Sequence, residues 1–142
     1  MDERHLHTAH WANGTAAFDF FGDEGWLDLN SSYTYGPVAF RILADREGPL
    51  PRPTFLIESH YENDFGGKTA EDVRAYPYRA VLSGAAGHLF GNKPTWFCGR
   101  GWEEALDSPG ARYMGHAIAL FRSRPWYDLE PDRTHQLVVE GH

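Results

Sequence analysis

Glu58 is the residue of this sequence with the clearest chemical potential. It follows the apolar run 55–57, so its carboxylate would stand where a buried strand ends. In α/β barrels the catalytic groups lie at the carboxyl ends of the strands. A carboxylate there can act as nucleophile or base on a glycosidic bond, with a second carboxyl group as the acid. The alternative is structural: Glu58 caps the following turn or pairs with Arg74.

Three more polar residues stand near predicted strand ends. Glu62 comes four residues after Glu58 and can orient it or bind a substrate hydroxyl. Asp28 and Asn30 close the apolar run 26–29, and their alternate positions put both side chains on one face. Asn30 is the better candidate for a hydroxyl ligand, although Asp and Asn also favour strand-end turns for local reasons.

Aromatic residues make up 15% of the chain, with five Trp. Aromatic rings stack on the C–H faces of sugars, so Trp96 and Trp26 are candidates for the wall of a carbohydrate site. The alternative for both is packing in the core, the commonest role of large aromatic side chains.

The eight histidines raise the question of a metal. His5 and His7 share one side of a predicted strand and, together with His10 or Glu58, have ligand types that suit a transition metal. This spacing is weakly specific, and no metalloprotease, phosphate-loop or dinucleotide fingerprint is present. The single cysteine, Cys98, excludes a disulfide within the chain. We therefore predict neither a metal nor a cofactor.

The elements that would position these residues alternate between strand and helix. Short apolar runs predict strands at 6–9, 26–29, 54–57 and 95–98. Apolar residues at helical spacing predict helices at 37–46, at 69–84 and at 109–122, the second starting at a capping box of Thr69 and Asp72. Pro77 should kink or restart that helix.

This alternation indicates the α/β class with parallel strands. A complete (β/α)8 barrel takes roughly 250 residues and eight strands. The chain therefore reads either as a small open α/β domain or as the C-terminal half of a TIM-type barrel, with about four βα units. We assign residues 1–132 to the partial barrel and 133–142 to a C-terminal tail.

Charge and hydropathy limit the partners. The net charge of −7 argues against nucleic acid, which needs a basic surface. No apolar run approaches the ~18 residues of a membrane span. No basic segment followed by an apolar stretch opens the chain, so the sequence predicts no signal peptide and, as it stands, a cytoplasmic location.

Ordered blocks from Thr54 onward resemble a known family, the apiosidase-like catalytic domain of glycoside hydrolase family 140, formerly a domain of unknown function. The family's E-x-x-Y-E block matches residues 58–62, and its L-x-G-A-x-G-x-x-Y-G block matches 82–91 except for Phe90 in place of tyrosine. Residues 8–10 and 26–30 match the family more loosely. Trp11 replaces a common proline, and Pro77 interrupts the seventh helix.

The resemblance implies the second half of a TIM barrel, from the fifth to the eighth βα unit. It implies that Glu58 is the nucleophile of a retaining glycosidase, with the acid/base carboxylate on the fourth strand, which precedes the matched region. Five other residues match positions near the sugar pocket: His10, Asn30, Tyr61, Glu62 and Trp96.

The expected parent reaction is thus retaining hydrolysis of a glycosidic bond in plant-type or other complex glycans. The isolated chain is expected to be inactive or weakly sugar-binding, because the acid lies outside it. The alternative is a non-catalytic carbohydrate-binding or self-assembling module, such as a homodimer that completes the barrel and covers its edge strands.

Overall fold

A computed structural model describes residues 4–48 and 50–137. They form one three-stranded sheet in the order β1-β2-β3. The strands are β1 (Thr15–Ala16), β2 (Asn30–Tyr33) and β3 (Thr54–Glu58). β2 and β3 are parallel, whereas β1 pairs antiparallel with β2. Residues 138–142, half of the predicted tail, lie outside the described part of the chain.

Five α-helices accompany the sheet. They are α1 (Phe18–Phe21), α2 (Val38–Asp45), α3 (Ala70–Leu82), α4 (Trp102–Ala105) and α5 (Pro109–Arg122). Two short 3-10 helices span Thr95–Phe97 and Trp126–Asp128. Within the described residues, every helix is too short or too polar to cross a lipid bilayer.

The three predicted helices are confirmed as α2, α3 and α5. The capping box is present at α3, where the Thr69 hydroxyl accepts from the Asp72 amide and Asp72 accepts from the Thr69 amide. Ser108 caps α5 in a similar way. The predicted restart at Pro77 is wrong, because α3 continues through it. Pro77 is buried, and packing of α3 offsets the one backbone hydrogen bond that proline removes.

Of the four predicted strands, only 54–57 is confirmed in place. The strand predicted at 26–29 begins later, at Asn30. Leu27 is buried but lies in the preceding turn, which gives the apolar run its core residue without sheet pairing. The strand itself is polar, because the Asn30 and Ser32 side chains make hydrogen bonds inside the fold.

The strand predicted at 95–98 is wrong, because these residues form a 3-10 helix. A short apolar run does not by itself distinguish a strand from a helical turn. The segment that follows α3 lies beside β3 instead: the Ala86 amide donates to Thr54 O at 2.7 Å and the Leu89 amide to Leu56 O at 3.0 Å.

The strand predicted at 6–9 is also not formed as a ladder. The segment nevertheless runs beside the start of β2, where the Asp28 amide donates to His7 O at 3.0 Å and the Thr8 hydroxyl to Leu29 O at 2.8 Å. The mixed α/β class is therefore confirmed, whereas four complete βα units are not seen among the described residues.

The main core lies between the sheet and the two helices α2 and α3. It is built from apolar side chains that are almost completely buried: Val38, Ile42, Leu56, Val73, Tyr76, Ala80 and Ala85. The helices thus cover one face of the sheet, and Leu56 is the residue of β3 that points into this layer. The residues at the carboxyl ends of β2 and β3, described below, lie on the opposite face of the sheet.

A buried carboxylate ties α2 to the sheet. Asp45, the last residue of α2, accepts from the Ser32 hydroxyl at 2.6 Å and from Arg41 Nε at 2.7 Å. Arg41 also donates to Gly14 O at 2.7 Å, so the same guanidinium holds the segment before β1. Burial raises the pKa of Asp45, while the bonds to Ser32 and Arg41 oppose that rise.

We expect Arg41→Met to destabilise the fold by about 3 kcal/mol, because it leaves the buried Asp45 carboxylate without its cation. Urea unfolding measures the change. The loss should develop as the pH rises through the raised pKa of Asp45 and shrink at lower pH, where the carboxyl is neutral. Arg112→Met is the matched control: its pair with Asp107 is 59% and 80% exposed, so the cost should stay below about 1 kcal/mol. Equal losses would contradict this account.

Candidate active site

Glu58 owes its direction to an irregularity in β3. Ser32 pairs with Leu56, but the next residue of β2, Tyr33, pairs with Glu58, so Ile57 is an extra residue. Such a bulge re-aims the side chains that follow it. Leu56 therefore points into the helix layer, and Glu58, only two residues later, lies on the other face with Tyr33. The position of Glu58 at the carboxyl end of a strand agrees with the sequence prediction.

The Glu58 carboxylate is held at both oxygens. The Tyr35 hydroxyl donates to Oε1 at 2.8 Å, and His10 Nε2 lies 3.0 Å from Oε2. The Tyr33 hydroxyl donates in turn to the Tyr35 hydroxyl at 2.8 Å. The Glu58 side chain is 13% exposed and that of His10 is 43% exposed. The carboxylate is thus oriented from two neighbouring segments while one side of it stays accessible.

Three tyrosines around Glu58 are kept in the protonated, donating form. Burial is the main cause: it raises the pKa of Tyr33 and Tyr35, and the nearby Glu58 carboxylate raises both further. The pKa of Tyr61 is raised to about 12, first by burial and then by the negative charge of Glu58. At neutral pH the Tyr35 phenol therefore donates to the carboxylate, and the Tyr33 phenol donates to Tyr35.

The His60 side chain packs against Tyr35. The two rings stack with centroids 4.6 Å apart and an interplanar angle of 23°. His60 Nε2 lies 3.1 Å from the backbone oxygen of Tyr35. A carbonyl oxygen only accepts, so Nε2 carries the proton in this contact. His60 thus positions the residue that orients Glu58.

Glu62 is not brought to Glu58. Its side chain is buried and its carboxylate lies at the start of α5, where Oε2 accepts from the Ser108 hydroxyl at 2.6 Å and Oε1 from the Gly110 amide at 3.1 Å. A negative charge is stabilised at a helix N-terminus. The hydroxyl-binding role predicted for Glu62 is therefore corrected to a structural one.

Asn30 is also placed away from the site. It opens β2 at the end opposite to Tyr33, and it is completely buried. Its Oδ1 accepts from the Phe18 amide at 3.0 Å, and its Nδ2 donates to Asp45 O at 3.2 Å. The prediction of a sugar ligand is wrong because the strand begins, rather than ends, at this residue.

Trp96 lines an open groove next to Glu58, which we call the Trp96 groove. The groove has a volume of about 360 Å³ and lies between the loop after β3 and the segment 89–111. Trp96 is 58% exposed, so its ring is not a core residue. Tyr61 also lines the groove and connects it to Glu58, whose charge raises the Tyr61 pKa.

Of the predicted site residues, the structure brings His10 into contact with Glu58, and Tyr61 and Trp96 line one groove. The sequence reasoning missed Tyr33, Tyr35 and His60. The signal was present: Tyr33 ends a polar strand and Tyr35 follows at the next alternate position, but that strand was predicted four residues too early. The structural alternative of a Glu58–Arg74 pair is not observed, since the Arg74 guanidinium lies over the Tyr113 ring at 5.4 Å.

The described residues form no cluster of metal ligands. Residues 4–48 and 50–137 contain no group of three or more His, Cys, Asp or Glu arranged to hold an ion. His7, one of the three histidines considered for this role, has its Nδ1 3.2 Å from Asp28 Oδ2. The chemistry available at Glu58 is accordingly that of an oriented carboxylate with phenol and imidazole partners.

Replacing Glu58 by Gln should lower the pKa of Tyr61 from about 12, because the negative charge that disfavours the phenolate is removed. The pKa should stay above its ordinary value of about 10, since burial persists. NMR titration of ¹³C-labelled tyrosines measures it. Glu130→Gln, at a side chain that is 84% exposed, serves as the control and should leave Tyr61 unchanged. A Tyr61 titration that is the same in Glu58→Gln and in wild type would contradict the arrangement.

Comparison with solved structures shows the fold. The crystal structure of a glycoside hydrolase family 5 protein from Bacteroides vulgatus ATCC 8482 superposes with a TM-score of 0.83 at 23% identity, covering 94% of this chain and 37% of that one. A second solved structure, described as a glycoside hydrolase, gives a TM-score of 0.80 at 23% identity, covering 94% and 39%. This chain thus spans less than half of either, as expected for part of a TIM-type barrel.

Comparison with sequence families agrees with these structures. No curated protein matches this chain with significant sequence similarity. A family model described as "Apiosidase-like, catalytic domain" matches residues 1–128. The matched region includes β3, Glu58 and every residue that contacts its carboxylate, and it confirms the resemblance given by the sequence blocks. The chain therefore belongs to the family of apiosidase-like catalytic domains.

Proposed function

We propose that this chain carries the nucleophile half of a retaining glycoside hydrolase site, with Glu58 as the nucleophile. The strongest support is the pair of contacts that orient the Glu58 carboxylate at the carboxyl end of β3. Tyr35 contacts one of its oxygens and His10 the other. A nucleophile must be fixed in direction before attack, since orientation supplies much of the rate. Family membership and the glycoside hydrolase fold favour the same reaction class.

The proposed reaction has two steps. First, a Glu58 oxygen bonds to the anomeric carbon while the bond from that carbon to the leaving oxygen breaks. Water then attacks the same carbon and releases Glu58, while the group that protonated the leaving oxygen takes a proton from the water. The leaving oxygen needs a proton in the first step, and the partners that hold Glu58 among the described residues include no second carboxyl group. We propose that the acid comes from a part of the barrel outside this chain.

The substrate class that fits this site is a carbohydrate, as in plant-type or other complex glycans. The exposed Trp96 ring offers a stacking surface for the apolar face of a sugar. Tyr61 lines the same groove, and the charge of Glu58 raises the pKa of Tyr61. A sugar in the groove would therefore lie close to the nucleophile. With the acid outside this chain, as proposed, the chain by itself should cleave ordinary glycosides very slowly, since such an acid contributes about 10² to 10⁴ in rate.

An activated substrate tests the nucleophile without the acid. A 2,4-dinitrophenyl 2-deoxy-2-fluoroglycoside loses its leaving group as a stable anion. The fluorine slows hydrolysis of the covalent bond between the sugar and Glu58. We expect a stoichiometric release of dinitrophenolate and a mass increase on the peptide that contains Glu58. A panel of pentosyl and hexosyl reagents is used, with intact-protein and peptide mass spectrometry as readouts.

Glu58→Gln should abolish this labelling, whereas the exposed-residue control Glu130→Gln should be labelled like wild type. Labelling that persists in Glu58→Gln would show that another residue is the nucleophile. Rapid hydrolysis of unactivated alkyl glycosides by the wild-type chain, lost in Glu58→Gln, would show that the chain contains its own acid and would overturn that part of the proposal.

A second candidate function is a self-assembling or sugar-binding half-barrel without catalysis. Exposed apolar side chains at the two lateral segments favour it: Leu6 is 73% exposed beside β2, and Leu89 is 53% exposed beside β3. A homodimer would cover such edges. Light scattering of the purified chain should give twice its mass if this is correct, and a monomer that is labelled at Glu58 would exclude it.

A further inference from the structure

A second cavity, which we call the His88 cavity, lies between the helices α3 and α5. Its volume is about 420 Å³, and the residues that line it are apolar apart from His88 and Arg122. Arg122 is exposed at the end of α5, so its charge is in contact with solvent. The walls include Pro77, Val81, Met114, Ile118, Phe121 and Trp126. A molecule that fills this cavity must therefore be mostly apolar.

Strand pairing turns the His88 side chain toward the helices. His88 forms a parallel bridge with Leu56. Because side chains alternate between the two faces of a sheet, residues paired in this way point to the same face. Leu56 points into the layer of α2 and α3, and Phe90, two residues after His88, packs against the same core. His88 therefore lies on the face of the sheet opposite to Glu58.

The imidazole of His88 has no hydrogen-bond partner within residues 4–48 and 50–137. The unpaired side-chain atoms that are completely buried in this part of the chain belong to other residues, so both His88 nitrogens keep some accessible surface. Burial lowers the pKa of His88 to about 4. At neutral pH the ring is thus uncharged, and one nitrogen donates a hydrogen bond while the other accepts one.

The surroundings of His88 decide which ligand groups suit the cavity. The apolar walls that disfavour the charged imidazole also disfavour a buried carboxylate or ammonium group. A neutral O–H group is compatible with the walls and can donate to the accepting nitrogen of His88. The rings of Phe121 and Trp126 and the thioether of Met114 favour a flat aromatic body. The chemistry of a phenol meets all of these conditions.

We propose that the His88 cavity is a second ligand site, which binds a neutral phenol. The aromatic ring lies among the apolar side chains of α3 and α5, and the phenolic O–H donates to a ring nitrogen of His88. This site goes beyond the proposed glycoside hydrolysis and does not depend on it, because His88 and Glu58 lie on opposite faces of the sheet.

Three small probes test the ligand class: p-cresol, p-xylene and 4-methylbenzoate, titrated into the ¹⁵N-labelled chain. p-Xylene has a methyl group in place of the hydroxyl, and 4-methylbenzoate carries a charge instead. We expect p-cresol to shift the ring ¹⁵N signals of His88 in NMR spectra. It should bind roughly threefold to tenfold more tightly than p-xylene, the usual value of one neutral hydrogen bond. 4-Methylbenzoate should bind more weakly than p-cresol.

His88→Phe keeps an aromatic ring and removes both nitrogens, so p-cresol and p-xylene should bind this variant equally. The two affinities are compared within one protein, so a change in its stability affects both alike. His88→Leu gives the same test with a smaller side chain. His116→Phe is the matched control: His116 is exposed on α5 and does not line the cavity. This variant should keep the preference of the wild type for p-cresol.

Four outcomes would overturn the proposal. The first is that p-cresol leaves the His88 signals unchanged, or shifts only the Trp96 indole signal. The second is that 4-methylbenzoate binds more tightly than p-cresol, which would indicate pairing with Arg122. The third is that the preference for p-cresol over p-xylene persists when His88 is replaced. The fourth is that His116→Phe abolishes this preference.

Discussion

The change of face between Leu56 and Glu58 is the constraint on which the rest of the site depends. Leu56 must fill the core under α2 and α3, and Glu58 must face the opposite side with Tyr33. In a regular strand, residues two apart point the same way. The extra residue, Ile57, resolves the conflict. It allows one short strand to carry a core residue and a candidate nucleophile in close succession.

Two glutamates four residues apart take opposite roles because their surroundings differ. The Glu58 carboxylate contacts the phenol of Tyr35 and the imidazole of His10, and one side of it is accessible to solvent. Glu62 is enclosed at the start of α5, where a hydroxyl and a backbone amide satisfy it. Its backbone also pairs with the segment that leads to Trp96: the Glu62 amide donates to Gly91 O at 3.0 Å. Glu62 thus fixes one wall of the groove without facing a substrate.

The sequence predicted the helices well and the strands poorly, for a physical reason. Helix signals are local: the capping box at Thr69 and the spacing of apolar residues on α2 and α5 are readable from the chain. The strand Asn30–Tyr33 is polar because its side chains bond to Asp45 and to neighbouring segments, and such partners are distant in sequence. Placing this strand too early hid Tyr33 and Tyr35 and made Asn30 look like a ligand. Glu58 was marked both by its position after the apolar run 55–57 and by an ordered family block, whereas His10 was marked by the looser family resemblance of residues 8–10.

Hydrogen bonds between the loop 10–17 and β2 have a dynamic consequence. The Gly14 amide donates to Tyr33 O, the Tyr35 amide donates to Asn13 Oδ1, and Arg41 holds Gly14 O. His10 and Tyr35, which hold the two oxygens of one carboxylate, therefore belong to segments that are bonded to each other. Moving these two segments apart requires local unfolding, which is slower than side-chain motion by orders of magnitude. The backbone positions from which His10 and Tyr35 reach Glu58 are therefore fixed relative to each other while side chains exchange rotamers.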